Sequence, residues 1–479
     1  MLFPPSFFWP YFSHQPRSSG KDWCTAPSRE SKQSLDQWSS SKMDDPQEAW
    51  LPITESRSGN VVTAVFHLLS SGIGIQALLL PVAFATLGWA WGAICLSLAF
   101  TWQLYTIWIL VQLHEPIPGS RTRYSRYLQL AIAAFGPRLG KLLAIFPVMY
   151  LSGSTCIMLI IKGAGFMELL FKLVCEGGAT CDAESLTGAE WFLVFTCMAI
   201  ALAQPPNLNS IAGFSLCGAM SAIGYCTLIW VLPISRDRPS GVMAGMLDIL
   251  NANGMIVLAF RGHNLVLEIQ GTLPTSLTNP SKRTMWRGVS VSYMIIAMCQ
   301  FPLAIAGFWV YGNKIPPNGG MLTAFFQFHG HDTSKSVKGL VCLLVVIHCL
   351  SSFQIYAMPV FDNLEFRYVS MKNRRCPWWV RLGFRLFFGG LAFFIAVALP
   401  FLPRLAPLIG GITLPLTLVY PCFMWILIKK PHQKGHAAEW CLNLGVGCLG
   451  IFLSVLLVVA AAWDLAIKGL HATFFKPPL

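Results

Sequence analysis

The chain has 479 residues, of which 54% are hydrophobic and only 11% are charged. An ordinary globular chain is about 25% charged, so this composition excludes a soluble protein of this size, and its apolar content excludes a disordered chain. The net charge is +13, from 34 basic and 21 acidic residues. The apolar runs are long and continuous rather than alternating, which excludes a β-barrel and predicts an all-α polytopic membrane protein.

The polar N-terminal region, residues 1–58, is predicted to be a flexible cytoplasmic tail. Its start lacks the basic region and long apolar core of a signal peptide. Met43 precedes an acidic stretch and is a candidate initiator beside Met1. The transmembrane domain is predicted over residues 59–465, followed by a short extracytoplasmic tail over residues 466–479.

Eleven apolar segments follow the tail, each near the roughly 20 residues that span about 30 Å of hydrocarbon. Their predicted ranges are 60–87, 89–112, 140–171, 190–206, 210–233, 251–271, 287–311, 337–360, 382–401, 405–428 and 441–463. The fourth segment is short, and a Pro-Pro turn separates it from the fifth.

Basic residues in the loops predict the orientation of the chain. The loops after the second, sixth, eighth and tenth segments hold 17 Lys and Arg residues, against nine in the opposite loops and the C-terminal tail. The positive-inside rule therefore predicts a cytoplasmic N-terminus and, after eleven crossings, an external C-terminus. The charge of +13 is explained by topology, and no nucleic-acid partner is predicted.

Most cysteines follow the same pattern, since eleven of the 15 lie in apolar segments, where a free cysteine behaves as a small hydrophobe. Cys175 and Cys181 lie together in a predicted outside loop. They are candidates for a disulfide if that side is oxidising, and two free thiols are the equal alternative. No Cys/His spacing typical of a metal site occurs, so neither a metal nor a cofactor is predicted.

The first segment carries small and polar residues in the middle of its apolar run, namely Ser70, Ser71, Gly72, Gly74 and Gln76. Gly and Ser also serve close packing between membrane helices, so for this segment alone packing and function are equal explanations.

The sixth segment places Phe260, Arg261, Gly262, His263, Asn264 and Glu268 in one span. A charge at the bilayer centre costs about 2.5–3.5 kcal/mol on insertion scales, so these residues are expected to face a bundle interior or water. Segments one and six are five apart, the spacing at which transporters with inverted five-helix repeats place discontinuous helices. Half-helix N-termini suit an anionic group and half-helix C-termini a cation, so paired breaks fit a free amino acid.

Further polar residues lie in other segments. The eighth segment carries His348, Ser351, Ser352, Gln354 and Tyr356. These side chains could line a path or could hydrogen-bond neighbouring helices, and both explanations stay open. Lys162, late in the third segment, is expected to snorkel to the outer interface rather than to serve in coupling.

Four motifs follow one another along the chain. They are 113–115 (LHE) with 118–119 (PG) and 124–127 (YSRY), 260–270 (FRGHNLVLEIQ) with 272–274 (TLP), 352–362 (SFQIYAMPVFD), and 421–425 (PCFMW) with 429–431 (KKP). They resemble the signatures of plant lysine/histidine-type transporters of the amino acid/auxin permease family. The resemblance runs from about residue 50 to the C-terminus and is closest to the lysine histidine transporter-like branch with Arg in the sixth-helix signature.

This resemblance implies a LeuT-like fold with eleven helices, of which helices 1 and 6 are broken, and proton-coupled amino-acid symport at the plasma membrane. It also implies the site. The expected substrate-binding residues are Ser71, Gly72, Gly74, Gln76, Phe260, Arg261, Gly262, His263 and Ser352. Glu268 is the coupling candidate, and a structural role near the cytoplasmic end is its equal alternative.

Two departures from the family pattern fall where substrate should bind. Gln76 replaces the second glycine of the usual Gly-x-Gly in helix one, and Arg261 occupies a position that is usually small and neutral. Arg261 must have an anionic or carbonyl partner, and helix-end carbonyls, Glu268 and the substrate all remain open. A fixed cation here is expected to disfavour cationic substrates and to favour neutral or acidic amino acids.

Other functions are weighed against a transporter. The chain has no HExxH pair and no GxSxG elbow, so an enzyme is not predicted. A channel would not need a broken helix in each half. A sensor that binds amino acids without moving them cannot be separated from a transporter by sequence. The predicted partners are amino acids, protons and membrane lipid.

Overall fold

The computed structural model describes residues 48–116, 122–145, 150–175, 186–234, 246–260, 262–276, 278–316, 319–429, 437–469 and 474–475. In these ranges the regular structure is entirely helical. The α-helices, numbered in chain order, are α1 Val61–Gly72, α2 Leu80–Leu113, α3 Tyr127–Phe135, α4 Pro137–Ile145, α5 Ser152–Cys175, α6 Gly188–Leu202, α7 Ala212–Val231, α8 Met246–Ala259, α9 His263–Gly271, α10 Ser281–Tyr311, α11 Gly320–His329, α12 Lys335–Lys372, α13 Trp378–Ala398, α14 Ala406–Leu414, α15 Tyr420–Lys429 and α16 Ala437–Lys468.

Seven helical runs in the described ranges are long and apolar enough to cross a membrane. They are Ile75–Leu113, Leu208–Val231, Ser281–Lys314, Lys335–Lys372, Trp378–Ala398, Leu402–Lys429 and Ala437–Ile467. The predicted all-α membrane protein is therefore confirmed. Seven is fewer than the eleven predicted segments, because the first and sixth segments are divided into short helices and the fourth forms only the 15-residue helix α6. The third segment, which contains α5, lies partly outside the described residues.

Several helix boundaries follow from identifiable residues. Gly88 interrupts α2 at φ 74° and ψ 179°, a conformation that glycine adopts readily, and it lies where the sequence separates the first two segments. Asn60 and Thr63 form a reciprocal capping box at the start of α1. Pro280 and Pro377 precede α10 and α13, where the missing N–H of proline costs nothing.

Helix α12 lies deepest in the bundle. It packs chiefly against α5 and α7, and 78% of its most apolar 18-residue stretch is buried, compared with 33% for α13 and for α16. Helix α1 packs against α10 and α7, while α8 packs against α2 and α14. The two short, interrupted segments are therefore enclosed by long helices rather than exposed at the periphery.

The residues just before α1 pack against several loops at one end of the bundle. Leu51 and Ile53 are fully buried. The Leu208 N–H donates to Pro52 O (3.3 Å), which joins this segment to the turn after α6. The N–H of Gly59 donates to the carbonyl of residue 272, after α9, at 3.1 Å.

These contacts concern the predicted boundary between tail and domain. Residues 48–58 fall in the range predicted as flexible tail, yet they are packed, so the packed chain begins upstream of residue 59. Residues 1–47 and most of the predicted C-terminal tail lie outside the described residues.

Candidate functional site

Two interrupted apolar segments meet inside the protein. The first runs as α1, ends at Gly72, and resumes after two non-helical residues in the 3₁₀ turn Ile75–Leu79, which leads into α2. The second runs as α8, ends at Ala259, and resumes as α9 at His263. The two interruptions lie close together, because a Cβ atom built on Gly262 would be 3.7 Å from the Ser71 Oγ atom.

Each interruption depends on a glycine, for different reasons. Gly262 has φ 113° and ψ −8°, where a Cβ atom is strained. Gly74 is extended, and its restriction is spatial, because a Cβ atom there would lie 2.6 Å from the Gln76 Oε1 atom. Each glycine is the N-cap of the helical turn that follows, and no side chain caps that turn. The first N–H groups of both turns are therefore suited to an anionic group.

The C-terminus of α1 also lies at the first interruption. Neutral side chains donate hydrogen bonds to its last three carbonyl oxygens, those of residues 70–72. Ser352 Oγ donates to the first at 2.9 Å, and Tyr356 OH donates to the second at 2.8 Å, both from α12. Gln300 Nε2, from α10, donates to the third at 3.3 Å. A helix C-terminus attracts positive charge, and here donor hydrogens from two helices supply it.

The structure brings the predicted residues of helices one, six and eight together, but several of their polar atoms already have protein partners. The Ser71 hydroxyl donates back to His67 O at 2.8 Å, so Ser71 offers little beyond its backbone. His263 Nε2 lies 2.8 Å from Thr106 Oγ1 of α2, which fixes the imidazole ring.

The polar side chains of α12 are explained by hydrogen bonds between helices. His348 Nδ1 lies 3.1 Å from Gly218 O, and Gln354 Nε2 donates to Ala199 O at 3.0 Å. Together with the Ser352 bond to α1, they connect α12 to α7, α6 and α1. Of the two explanations left open by the sequence, hydrogen bonding to neighbouring helices describes these groups.

Aromatic residues form an apolar wall beside the second interruption. The ring centroid of Phe260 lies 5.9 Å from that of Phe100, which in turn lies 6.0 Å from Tyr293 and 5.8 Å from Phe301. The Tyr293 hydroxyl accepts a hydrogen bond from Gln103 Nε2 at 3.0 Å. A substrate side chain beside Phe260 would therefore meet aromatic surface.

Glu268 lies on α9, six residues after Gly262, and its side chain contacts the start of α3. It is 2% exposed, and its Oε1 atom accepts a hydrogen bond from the Tyr127 N–H at 3.2 Å. Its Oε2 atom has no hydrogen-bond partner among the described residues. The carboxyl group is thus buried with one oxygen unsatisfied.

A buried ion pair next to Glu268 was not predicted from the sequence. Arg126 Nε donates to Asp362 Oδ2 at 2.5 Å, and its Nη2 atom donates to Asp362 Oδ1 at 3.3 Å. Glu48 lies 3.5 Å from the same guanidinium, and the Ile53 N–H donates to Asp362 at 3.2 Å. Asp362 lies two residues beyond the predicted eighth segment, so the sequence indicates only an acid at a helix end. Nothing in the sequence joins it to a residue 236 positions away.

Two predicted residues lie outside the described residues, namely Arg261 and Cys181. The partner of Arg261 and the pairing of Cys175 with Cys181 therefore stay predictions. The remaining substrate-binding candidates lie within about one helical turn of the interruptions or, like Ser352, bond directly to the end of α1.

Residues 57–463 match the family described as transmembrane amino acid transporter protein. The chain belongs to this family. Lysine histidine transporter-like 8 of Arabidopsis thaliana is 53% identical to this family member over 443 residues, which cover 90% of this chain and 84% of that protein. Lysine histidine transporter-like 7 of the same plant is 50% identical over 440 residues, covering 90% of each. The resemblance to the lysine histidine transporter-like branch is thereby confirmed.

The same fold occurs in a solved transporter. The structure of a Na⁺-coupled sialic acid symporter, in a substrate-bound outward-open state, is similar with a TM-score of 0.54 and 13% sequence identity. The similarity covers 90% of this chain and 94% of that chain. At this identity the likeness establishes the fold of the permease and nothing about its substrate or coupling ion.

Proposed function

We propose that this permease is a secondary active transporter that couples amino-acid uptake across the plasma membrane to protons by alternating access. In this proposal, eleven helices form two inverted five-helix repeats with interrupted helices 1 and 6. The observation that carries it is the meeting of the two interruptions, one at Gly72–Gly74 and one between Ala259 and His263. Two uncapped helix N-termini and the C-terminal end of α1 converge there.

The chemistry of this place fits a zwitterion. An α-carboxylate can accept from the first N–H groups of the turn at Ile75–Leu79. An α-ammonium group suits the C-terminal end of α8, because the carbonyls at the end of α1 already bind side-chain donors. Phe260 and its aromatic neighbours give the side chain an apolar surface. The substrate-binding roles of Ser71, Gly72, Gly74, Gln76, Gly262, His263 and Ser352 are part of this proposal.

The arrangement of loops supports the proposed topology. Residues 48–59 contact the loops that follow the predicted second, fourth, sixth and eighth segments. Lys429 Nζ, after the predicted tenth segment, donates to Pro116 O at 3.1 Å and joins that loop to the same end. Loops after even-numbered helices share a face if every segment crosses once. The basic asymmetry then assigns that face, and the N-terminus, to the cytoplasm.

Protons rather than sodium ions are proposed to drive uptake. The carbonyls of residues 70–72 bind hydroxyl and amide donors, which a sodium ion would have to displace. Glu268 has one unsatisfied, buried carboxyl oxygen, as expected of a group that gains and loses a proton. Its position beside Arg126 and Asp362 connects a protonation change to the cytoplasmic face.

Uptake by reconstituted protein under separate gradients tests the coupling. An inward pH gradient should drive labelled alanine uptake, and an inward sodium gradient at equal pH should not. Glu268→Gln, which removes the titrating proton but keeps the shape, should lose most of the pH-driven accumulation, while exchange of alanine down its own gradient persists. Glu439→Gln, at an exposed carboxylate, is the control. Accumulation driven by sodium and indifferent to pH would overturn the proton assignment.

The proposed substrates are neutral or acidic amino acids in preference to cationic ones. The sequence argument is the fixed charge of Arg261 beside the site. The names of the two relatives refer to lysine and histidine. The proposed preference therefore differs from the one that those names alone would suggest.

A further inference from the structure

A small cavity lies beside the first interruption. It has a volume of about 40 Å³ and is bounded by the 3₁₀ turn Ile75–Leu79, by α5, by the start of α11 and by Pro403. Helix α11 and Pro403 belong to the connections after the predicted seventh and ninth segments. These connections lie opposite the face that carries residues 48–59, so the cavity is on the proposed outer side of the interruption.

The polar groups that line the cavity are all capable of donating hydrogen bonds. They are the ammonium group of Lys162, the carboxamide of Gln76 and the hydroxyl of Thr323, and the other lining residues are apolar or glycine. No carboxylate is among the described residues that line the cavity. The cavity is therefore positively charged and rich in donors, which favours an anion over a cation.

Gln76 supplies an independent sign of a missing ligand. Its side chain is 4% exposed, and its Nε2 atom has no hydrogen-bond partner among the described residues. A buried donor without a partner costs about 1–3 kcal/mol, so such groups are rare unless a ligand or water satisfies them. Gln76 also replaces a glycine of the family pattern, and that replacement brings the unpartnered amide to the cavity wall.

The size of the cavity limits what can bind. A water molecule needs about 10–15 Å³ measured in the same way, so the cavity accommodates roughly three waters. That is enough for one carboxylate group or one halide ion, and too little for a whole amino acid.

We propose that Lys162, Gln76 and Thr323 form an outer subsite for one small monovalent anionic group. This group is either the side-chain carboxylate of an acidic amino acid or a free chloride ion, since both offer one negative charge to the same donors. The inference rests on the proposed function for its role in transport, but the subsite itself can be measured by binding. Lys162 is thereby assigned to ligand recognition, in place of the interfacial snorkelling expected from the sequence.

Competition for labelled alanine uptake tests the carboxylate. Glutamate and glutamine are compared as competitors, because they differ by one charge. In Lys162→Met the glutamate-to-glutamine ratio of half-inhibitory concentrations should rise about tenfold, and in Thr323→Val about threefold. Lys172→Met is the matched control, because Lys172 lies on the same helix but is half exposed and paired with Glu168 at 2.7 Å. It should leave the ratio unchanged.

Thermal unfolding of the purified protein tests chloride. At constant ionic strength, replacing gluconate by chloride should raise the unfolding midpoint of the wild type and of Lys172→Met, but not of Lys162→Met. If the Lys162 variant changes the glutamate-to-glutamine ratio but chloride does not raise the midpoint of the wild type, the occupant is the substrate carboxylate. If chloride raises the midpoint but the ratio is unchanged, the occupant is chloride.

The two proposals fail in different ways. If the wild type takes up no amino acid, the proposed function is wrong, while midpoint shifts by chloride or glutamate still report on the subsite. If Lys162→Met unfolds, Lys162→Gln, which removes the charge but keeps a polar side chain, and Thr323→Val give the same comparison. The subsite is refuted if the Lys162 and Thr323 variants respond to glutamate, glutamine and chloride as the wild type does.

Discussion

Gly74→Leu should abolish amino-acid uptake while the protein still folds. Gly74 precedes the turn whose N–H groups are proposed to bind the substrate carboxylate, and a Cβ atom there would already lie 2.6 Å from the Gln76 Oε1 atom. A leucine side chain must displace Gln76 and enter the space of the interruption. The contact is with one side chain rather than with backbone, so the bundle can keep its fold. Uptake should fall by at least about a hundredfold, as expected when a reactant's binding position is filled.

The measurement pairs initial uptake rates with size-exclusion elution and the thermal unfolding midpoint of the purified variant. Gly383→Leu is the control, because Gly383 is exposed on α13 and a Cβ atom there meets nothing within 4 Å. It should transport at the wild-type rate. Wild-type uptake by a folded Gly74→Leu protein would show that the substrate does not use this interruption.

Arg126→Met should destabilise the protein by about 3–5 kcal/mol, since it leaves the Asp362 carboxylate buried without its cation. The loss also removes one of the contacts of Glu48 and the bond to the Thr54 hydroxyl, which Arg126 binds at 3.2 Å through Nη2. Glu48 keeps its pairing with Arg57 at 2.8 Å. Residues 48–58 should therefore become more accessible to protease in this variant. The measurement is the unfolding midpoint in detergent, together with the rate of limited proteolysis of this segment.

Two comparisons separate the buried pair from a general effect of removing arginine. Arg374→Met removes an exposed guanidinium whose described contacts are all with Tyr368, through its hydroxyl and its ring, and it should change the midpoint little. The double variant Arg126→Met, Asp362→Leu should lose less stability than the sum of the single variants, because no unpaired charge remains. An Arg126→Met protein as stable as Arg374→Met would contradict a stabilising role for the pair.

Local features of the fold could be predicted because their causes are local. Continuous apolar runs marked the helices, and Gly88 lies at the boundary predicted between the first two segments. The polar residues at 70–76 and 260–268 pointed to the two places that the structure brings together. Hydropathy sums over about 20 residues, so a helix broken in the middle and an unbroken one give the same signal. The interruptions are therefore indicated not by hydropathy but by these polar residues, by the spacing of the two segments and by the family resemblance.

Features built from distant residues could not be predicted. Arg126 and Asp362 are far apart in sequence, and each by itself reads as a loop cation or a helix-end acid. The cavity beside Gln76 likewise needs Lys162 from one helix and Thr323 from another. The hydroxyls that bind the end of α1 were recognised as polar residues of the eighth segment. Which carbonyl oxygens accept from these hydroxyls depends on which helix packs against α12, and only the tertiary structure shows that.

Counterflow in proteoliposomes tests amino-acid transport most directly. Vesicles that contain the purified protein are loaded with excess unlabelled alanine and diluted into a trace of labelled alanine at equal pH. A carrier with alternating access exchanges one for the other, so labelled alanine should rise transiently above its equilibrium level inside the vesicles and then decline. A channel would give equilibration without that overshoot, and a sensor would give only binding that is independent of the internal load; either result would contradict the proposed function.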